Sequence, residues 1–528
     1  MSASESVVVR TTSGQVAGER VGGVSVFRGV PYAQPPVGPL RFASPRAAKA
    51  WSGVRDATKY SAAFIQAPIP EGSEDALYAN VWSPDTKARK PVLVYIHGGG
   101  WMVGSGNFVA YNGLKLARRG DIVVVNFNYR LGAFGFGLHE DLADGHTGGF
   151  ANWGLQDQAF ALRWVRDNAA AFGGDPDNIT LAGTSAGGSS TWQLGVHPET
   201  SKLVRRLIPI SACHLWFPAT DQSPADSRAS YEAVAGQLGV TVPGLRDVPA
   251  KVLMETWDKF FGGDPRHREV DSGREYRGSV VDKQWMFAYD HEQPTPDLPT
   301  MVIHTDTEGS FYTGPFPPQP APTPQPKTDA ELRVSVRKLL DKGAVTVSDA
   351  LVDGAIAAYR DAARADGLPT DPLSIWTEIW GDGLFRYQIT RLMQKHARTR
   401  KAPQYHMEFR QPTLSPYFGT PHEATSPFLF GTYADRQALR ECWGYPLDPP
   451  IFAVDDVAAR VSETFMDLVA SFARTSVPRS EHSAAWPAFA LDRPTTLYLG
   501  GPKITEVGPA RKTRQLAFWD EAGWVPRT

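Results

Sequence analysis

The chain has 528 residues, enough for a large buried core. Its 42% hydrophobic and 21% charged composition is that of an ordinary globular protein and not of a disordered or fibrous one. A formal net charge of -2 leaves no basic excess of the kind nucleic-acid binding asks for, and two cysteines, Cys213 and Cys442, are too few for a disulfide framework. The opening MSASESVVVRTTSG lacks a basic start and an apolar core, and the apolar runs are too short to span a bilayer, so a cytoplasmic chain without membrane insertion is expected.

In chain order, Pro91-VLVYI-His97, Asp121-IVVVNFNY-Arg130 and Asn178-ITLAGTS-Ala186 are short apolar runs of the kind that strands buried on both faces require. Between the second and third, Leu155, Ala159, Leu162, Val165 and Ala169 recur at helical spacing, and Gly173 and Gly174 end the run; this predicts a crossover helix. Leu207-IPIS-Ala212, Thr300-MVIHT-Asp306 and Pro403-QYHMEF-Arg410 read as further strands. Strands alternating with helices predict an α/β protein with a mostly parallel sheet covered by helices. The chain reads as one domain over 1–528, with helical and Pro-rich insertions at about 220–400 that roof the sheet. Seven prolines among positions 315–326 predict a stiff extended loop there.

Gly183-Thr184-Ser185-Ala186-Gly187 fits G-x-S-x-G, between a predicted strand and a predicted helix at Ser189 to Leu194. That setting is a strained turn that lifts a serine above the sheet, and it makes Ser185 the candidate nucleophile. Serine is a weak nucleophile without a base, so a histidine, an orienting acid and an oxyanion hole must lie elsewhere. His97-Gly98-Gly99-Gly100-Trp101 follows an early strand, and its uncovered N–H groups at Gly99 and Gly100, with that of Ala186, suit a developing oxyanion. His97 itself reads as a brace for this loop. The pocket should be apolar and aromatic, with Trp101, Trp216 and Phe217 as candidate substrate contacts.

Taken together, these motifs resemble the type-B carboxylesterases, the family that includes the cholinesterases. Phe27-RGVPYAQPPVGPLRFASP-Arg46, Ser73-EDALYANVWSP-Asp85, Asn128-YRLGAFGF-Gly137 and Asn152-WGLQDQ-Ala159 extend the likeness over most of the chain. Ala76 stands where relatives usually carry a cysteine, so their common N-terminal disulfide is absent. The resemblance implies the α/β-hydrolase fold. It also implies an acid at Glu308 in Thr305-DTEG-Ser310, with Asp306 as the rival, and a base at His422 in Gly419-TPHEATSPFLF-Gly431.

Relatives usually carry glutamates at the positions of Thr184 and Thr425, joined to a serine matching Ser211. Burying a lone carboxylate is costly. Thr184, Ser211 and Thr425 are therefore expected to form an uncharged shell behind His422, favouring neutral esters over quaternary ammonium esters. The implied activity is hydrolysis of neutral short- to medium-chain or aryl carboxylic esters through an acyl-enzyme on Ser185, with no metal or organic cofactor. The rival readings are a carbamate or amide hydrolase using the same residues, a lipase, and a catalytically silent binding module. The expected partner is a small ester substrate; the sequence leaves open whether the chain is a monomer or a homodimer.

Overall fold

The structure is a computed structural model; it describes residues 6–212, 223–261, 278–314, 323–341, 345–444, 447–448 and 450–524. Trp216, Phe217, Cys213 and most of the proline run therefore lie outside the described residues.

The strands are β1 (Ser6–Arg10), β2 (Gln15–Val21), β3 (Val24–Pro31), β4 (Val54–Asp56), β5 (Tyr78–Ser83), β6 (Lys90–Ile96) and β7 (Val123–Phe127). They continue as β8 (Gly174–Thr184), β9 (Arg206–Ile210), β10 (Thr300–Thr305), β11 (Gln404–Phe409), β12 (Thr495–Leu499) and β13 (Thr505–Pro509). All join one sheet, in the order β1-β2-β3-β5-β7-β6-β8-β9-β10-β11-β12-β13, with β4 beside β2. From β7 to β12 every neighbouring pair is parallel, and antiparallel strands flank this centre on both sides.

Burial explains the central strands. β7, β9, β10 and β11 are buried at every position, as strands covered by helices on both faces must be. The flanking strands obey a different rule. β2 alternates buried and part-exposed residues, because its outer face meets water. Sequence reading passes over this ribbon, and over β12 and β13 beyond Arg410, because short half-polar strands carry little apolar signal.

The crossover helix is observed as Trp153–Asn168, closed by a short 3₁₀ turn that ends at Gly173 with φ +76. An added Cβ at Gly173 would stand 1.9 Å from the Asp85 carbonyl oxygen, so glycine is required for the approach as well as for the turn. The region expected to be helical contains helices Pro224–Leu238, Asp329–Leu340, Asp349–Ala365, Pro372–Gly381 and Tyr387–Thr399. A π-helical turn, Asp382–Arg386, joins the last two and turns Phe385 toward the site described next. No helix among the described residues is long and apolar enough to cross a membrane.

Candidate active site

The parallel strands deliver the candidate groups from their carboxyl ends, where open α/β sheets bind ligands. β6 runs into His97 and the three glycines, β8 into Ser185, and β10 into the turn holding Asp306 and Glu308. The loop after β11 carries His422.

Ser185 has φ +54 and ψ -123, a strained conformation for a residue with a side chain, and begins helix Ala186–Val196. Its N–H donates to the Ile210 carbonyl at 2.9 Å, tying the turn to β9. The glycines two residues to either side are sterically compelled. A Cβ on Gly183 would meet the Gly187 carbonyl oxygen at 2.4 Å, and one on Gly187 would meet the Ile96 carbonyl oxygen at 2.2 Å. The motif thus encodes a backbone crossing that fixes the serine.

Across the sheet, His422 Nδ1 and Glu308 Oε2 are 2.6 Å apart, and both residues are buried. The other carboxylate oxygen, Oε1, accepts from Ser211 Oγ at 2.7 Å and from the Thr305 N–H at 2.8 Å. Burial alone would raise the Glu308 carboxyl. The facing His422 and these hydrogen bonds outweigh it and hold the group below the ordinary carboxylate range. Asp306, the rival acid, turns the other way: it pairs with Arg511 at 3.5 Å on the far side of the turn.

Phe385 stacks at a tilt 4.5 Å from the His422 ring and Phe311 meets it edge-on at 5.7 Å, so the imidazole has little freedom to turn. Its second nitrogen, Nε2, is buried and makes no hydrogen bond to any described protein atom. His422 and Ser185 line one cavity of about 50 Å³ together with Gly98, Gly99 and Gly100. Gly99 and Gly100 have φ of +109 and +61, which frees their amides from regular structure. Ala186 is the first residue of its helix, where N–H groups lack intrahelical partners.

The brace expected at His97 is present. Its ring stacks on Tyr129 at 4.3 Å, its Nδ1 lies 2.8 Å from the Gly98 carbonyl oxygen, and burial lowers its pKa to about 4. His406 lies inside β11 against His304 at 2.7 Å, and His396 meets the Ala402 carbonyl at 3.0 Å; both are buried away from the cavity.

Two expectations need correction. Trp101 does not line the cavity. Its φ is +59, the side chain is buried behind the glycine loop, and the indole N–H donates to Ser190 Oγ at 3.3 Å. The aromatic wall comes instead from Phe108, Tyr111, Phe311 and Tyr312. Trp216 and Phe217 lie outside the described residues.

The second correction concerns the shell of Thr184, Ser211 and Thr425. All three are buried, but Ser211 serves Glu308, and the hydroxyls of Thr184 and Thr425 make no hydrogen bond to each other. The shell is not charge-free either. Glu423, directly after the base, is buried with φ +71 and brings its carboxylate to the cavity wall. The signal was present in the sequence: a carboxylate stands beside His422, two positions from where relatives carry one.

A family model described as the carboxylesterase family matches residues 5–519. Phenmedipham hydrolase of Pseudarthrobacter oxydans is 33% identical over 526 residues, covering 93% of this chain and 95% of that protein. Para-nitrobenzyl esterase of Bacillus subtilis (strain 168) is 30% identical, covering 97% and 98%. Among solved structures, a carboxylesterase of Geobacillus stearothermophilus matches with a TM-score of 0.77 at 30% identity, covering 97% of this chain and 99% of that one. The sheet, the glycine loop, the strained serine and these full-length likenesses agree: the chain belongs to the carboxylesterase family, carries its α/β-hydrolase fold, and is a carboxylic ester hydrolase.

Proposed function

We propose that the chain hydrolyses neutral short- to medium-chain or aryl carboxylic esters by acyl transfer through Ser185. His422 takes the hydroxyl proton as Ser185 attacks the ester carbonyl, and Glu308 holds the imidazole tautomer and steadies the imidazolium. The N–H groups of Gly99, Gly100 and Ala186 receive the oxyanion of the tetrahedral intermediate. The alcohol departs with the proton from His422, and a water then repeats the cycle on the acyl-enzyme, returning the acid and free Ser185.

The observation that carries this reading is the 2.6 Å contact of Glu308 with His422 Nδ1, which leaves Nε2 unbonded in the cavity that Ser185 lines. The cavity's small volume and four aromatic rings favour compact, apolar acyl and aryl groups. The test is release of p-nitrophenol from a series of p-nitrophenyl esters. Ser185→Ala should lose activity by about 10⁴-fold or more; hydrolysis undiminished in that variant would refute the proposal.

A second reading, carbamate hydrolysis by the same residues, is favoured by the 33% identity to phenmedipham hydrolase. Specificity constants for matched phenyl esters and phenyl carbamates decide between the two, because leaving-group and acyl contacts set their ratio.

A further inference from the structure

A second cavity, of about 520 Å³, opens on the reverse side of the turn that carries Glu308. Asp306 and Thr307 line it, as does Gly419 from the loop leading to His422, and it shares no lining residue with the cavity at Ser185. Such a volume suits a small organic ligand. One wall is the first turn of helix Thr513–Ala522. That helix starts uncapped: Lys512 precedes it with φ +56 and no side-chain cap, and the first turn holds no acidic residue. The Leu516 N–H donates to the Lys512 carbonyl at 2.9 Å, while the N–H groups of Thr513, Arg514 and Gln515 have no acceptor among the described residues. They carry the positive end of the helix dipole.

A helix start alone makes no site, but the side chains around this one ask for the same partner. Gln515 lines the cavity, is only 9% exposed, and its amide makes no hydrogen bond to any described residue. Thr307, equally buried, brings an unused hydroxyl from the Glu308 turn. Buried polar groups of this kind cost free energy until something bonds them. Six charged side chains also line the cavity. Asp306 and Glu378 are matched by Arg511 at 3.5 Å and by Lys512. Two remain without a partner among the described residues: Arg514, in the same turn as the free N–H groups, and Asp366, exposed at the end of helix Asp349–Ala365.

We propose that this cavity is a second ligand site, for a singly charged organic carboxylate with a compact apolar body. The carboxylate meets the free N–H groups and the Arg514 guanidinium, whose planar fork matches it. Gln515 and Thr307 add neutral hydrogen bonds, and Leu368, Pro369 and Phe418 cover the apolar body. One uncommitted cation, with Asp366 on the rim, leaves no second positive charge for a dianion.

The experiment is calorimetric titration of the full chain with naphthalene-2-carboxylate, naphthalene-2-carboxamide and 2-naphthylmethylammonium. Wild type should bind the carboxylate about tenfold more tightly than either of the others. Arg514→Gln should weaken carboxylate binding about tenfold and leave the carboxamide unchanged, and Gln515→Leu should weaken it about fivefold. Asp366→Asn should leave it equal or tighter. An ammonium that binds as tightly as the carboxylate, or a carboxylate that does not bind, would overturn the inference whether or not the variants fold. Carboxylate affinity unmoved in folded Arg514→Gln and Gln515→Leu proteins would do the same, because the ligand would then sit elsewhere.

Discussion

Two clusters of buried ionisable groups flank the turn that carries Glu308, and they are built in opposite ways. On the side away from the cavity, Arg386 donates to Asp382 at 2.9 Å and to Glu408 at 2.5 Å, and also to the carbonyls of Asp306 at 2.7 Å and Thr305 at 3.2 Å. Lys512 adds a bond to the Asp306 carbonyl at 3.1 Å and an ion pair to Glu378. Cation meets carboxylate throughout, and the product is a fixed backbone. On the cavity side, Glu308 and His422 form one pair, and Nε2 of His422 is left without a hydrogen bond among the described residues beside the cavity that Ser185 lines. Buried charge that is compensated locates the turn; a buried imidazole nitrogen without a partner among the described residues is where a substrate has something to meet.

The sharpest break in this comparison comes from the two acids on the one turn. Glu308→Gln should lower kcat/KM by about 10³-fold or more, because an amide neither fixes the right tautomer nor steadies the imidazolium. Asp306→Asn, altering the group on the opposite side, should change the same constant by less than about tenfold. Equal losses would show that the turn acts as a single unit.

The compensated side should reveal itself in stability. Arg386→Met removes the nearest cation from Glu408 and Asp382 and leaves them only Arg511 at 3.5 Å and Lys512 at 3.4 Å, and removing one partner of a buried pair costs up to about 3–5 kcal/mol. The expected reading is a lower thermal midpoint, and a protein as stable as wild type would contradict it.

A third expectation concerns pH. His97 is held neutral by burial, with its pKa lowered to about 4, and burial lowers His406 to about 3. Unfolding frees each ring to protonate near 6.5. The folded state's advantage is thus complete above 6.5 and is lost as pH falls from 6.5 toward the folded values. Between pH 6.5 and 5 the share from His97 is about 2 kcal/mol, so the thermal midpoint should fall over this window and fall less in His97→Gln.

A smaller loss than that of Glu308→Gln is expected at Ser211. Ser211→Ala removes one hydrogen bond to the Glu308 carboxylate and leaves the Thr305 N–H in place, so kcat/KM should drop about tenfold. A loss as large as that of Glu308→Gln would mean that Ser211 does more than orient the acid.

What the sequence disclosed follows the range of the forces involved. Ser185 was legible because the strain at φ +54 and the crowding at Gly183 and Gly187 are local and leave a five-residue imprint. The central strands were legible because burial on both faces writes an unbroken apolar run. β12 and β13 were not: β12 is buried throughout but opens on Thr495 and Thr496, and β13 is part-exposed, so neither writes an unbroken apolar run. The acid was narrowed to two candidates two residues apart; only the direction in which the turn faces separates them, and Arg386, some eighty positions away, fixes that direction. Trp101 was misjudged because adjacency along the chain was taken for adjacency in the cavity, while its left-handed backbone sends the indole inward. Glu423 was overlooked although it stands beside His422, because attention went to the positions where relatives carry glutamates, and its place against Gly98, more than three hundred residues earlier, follows only from the fold.

The central claim is that one serine is made nucleophilic by one imidazole. Covalent labelling tests it most directly: the protein is treated with a p-nitrophenyl alkylphosphonate and the modified peptide is located by mass spectrometry, for wild type and for His422→Ala. The expected result is a single adduct on Ser185 that forms orders of magnitude more slowly in the variant. An adduct on another serine, or labelling of Ser185 at an undiminished rate without His422, would contradict it.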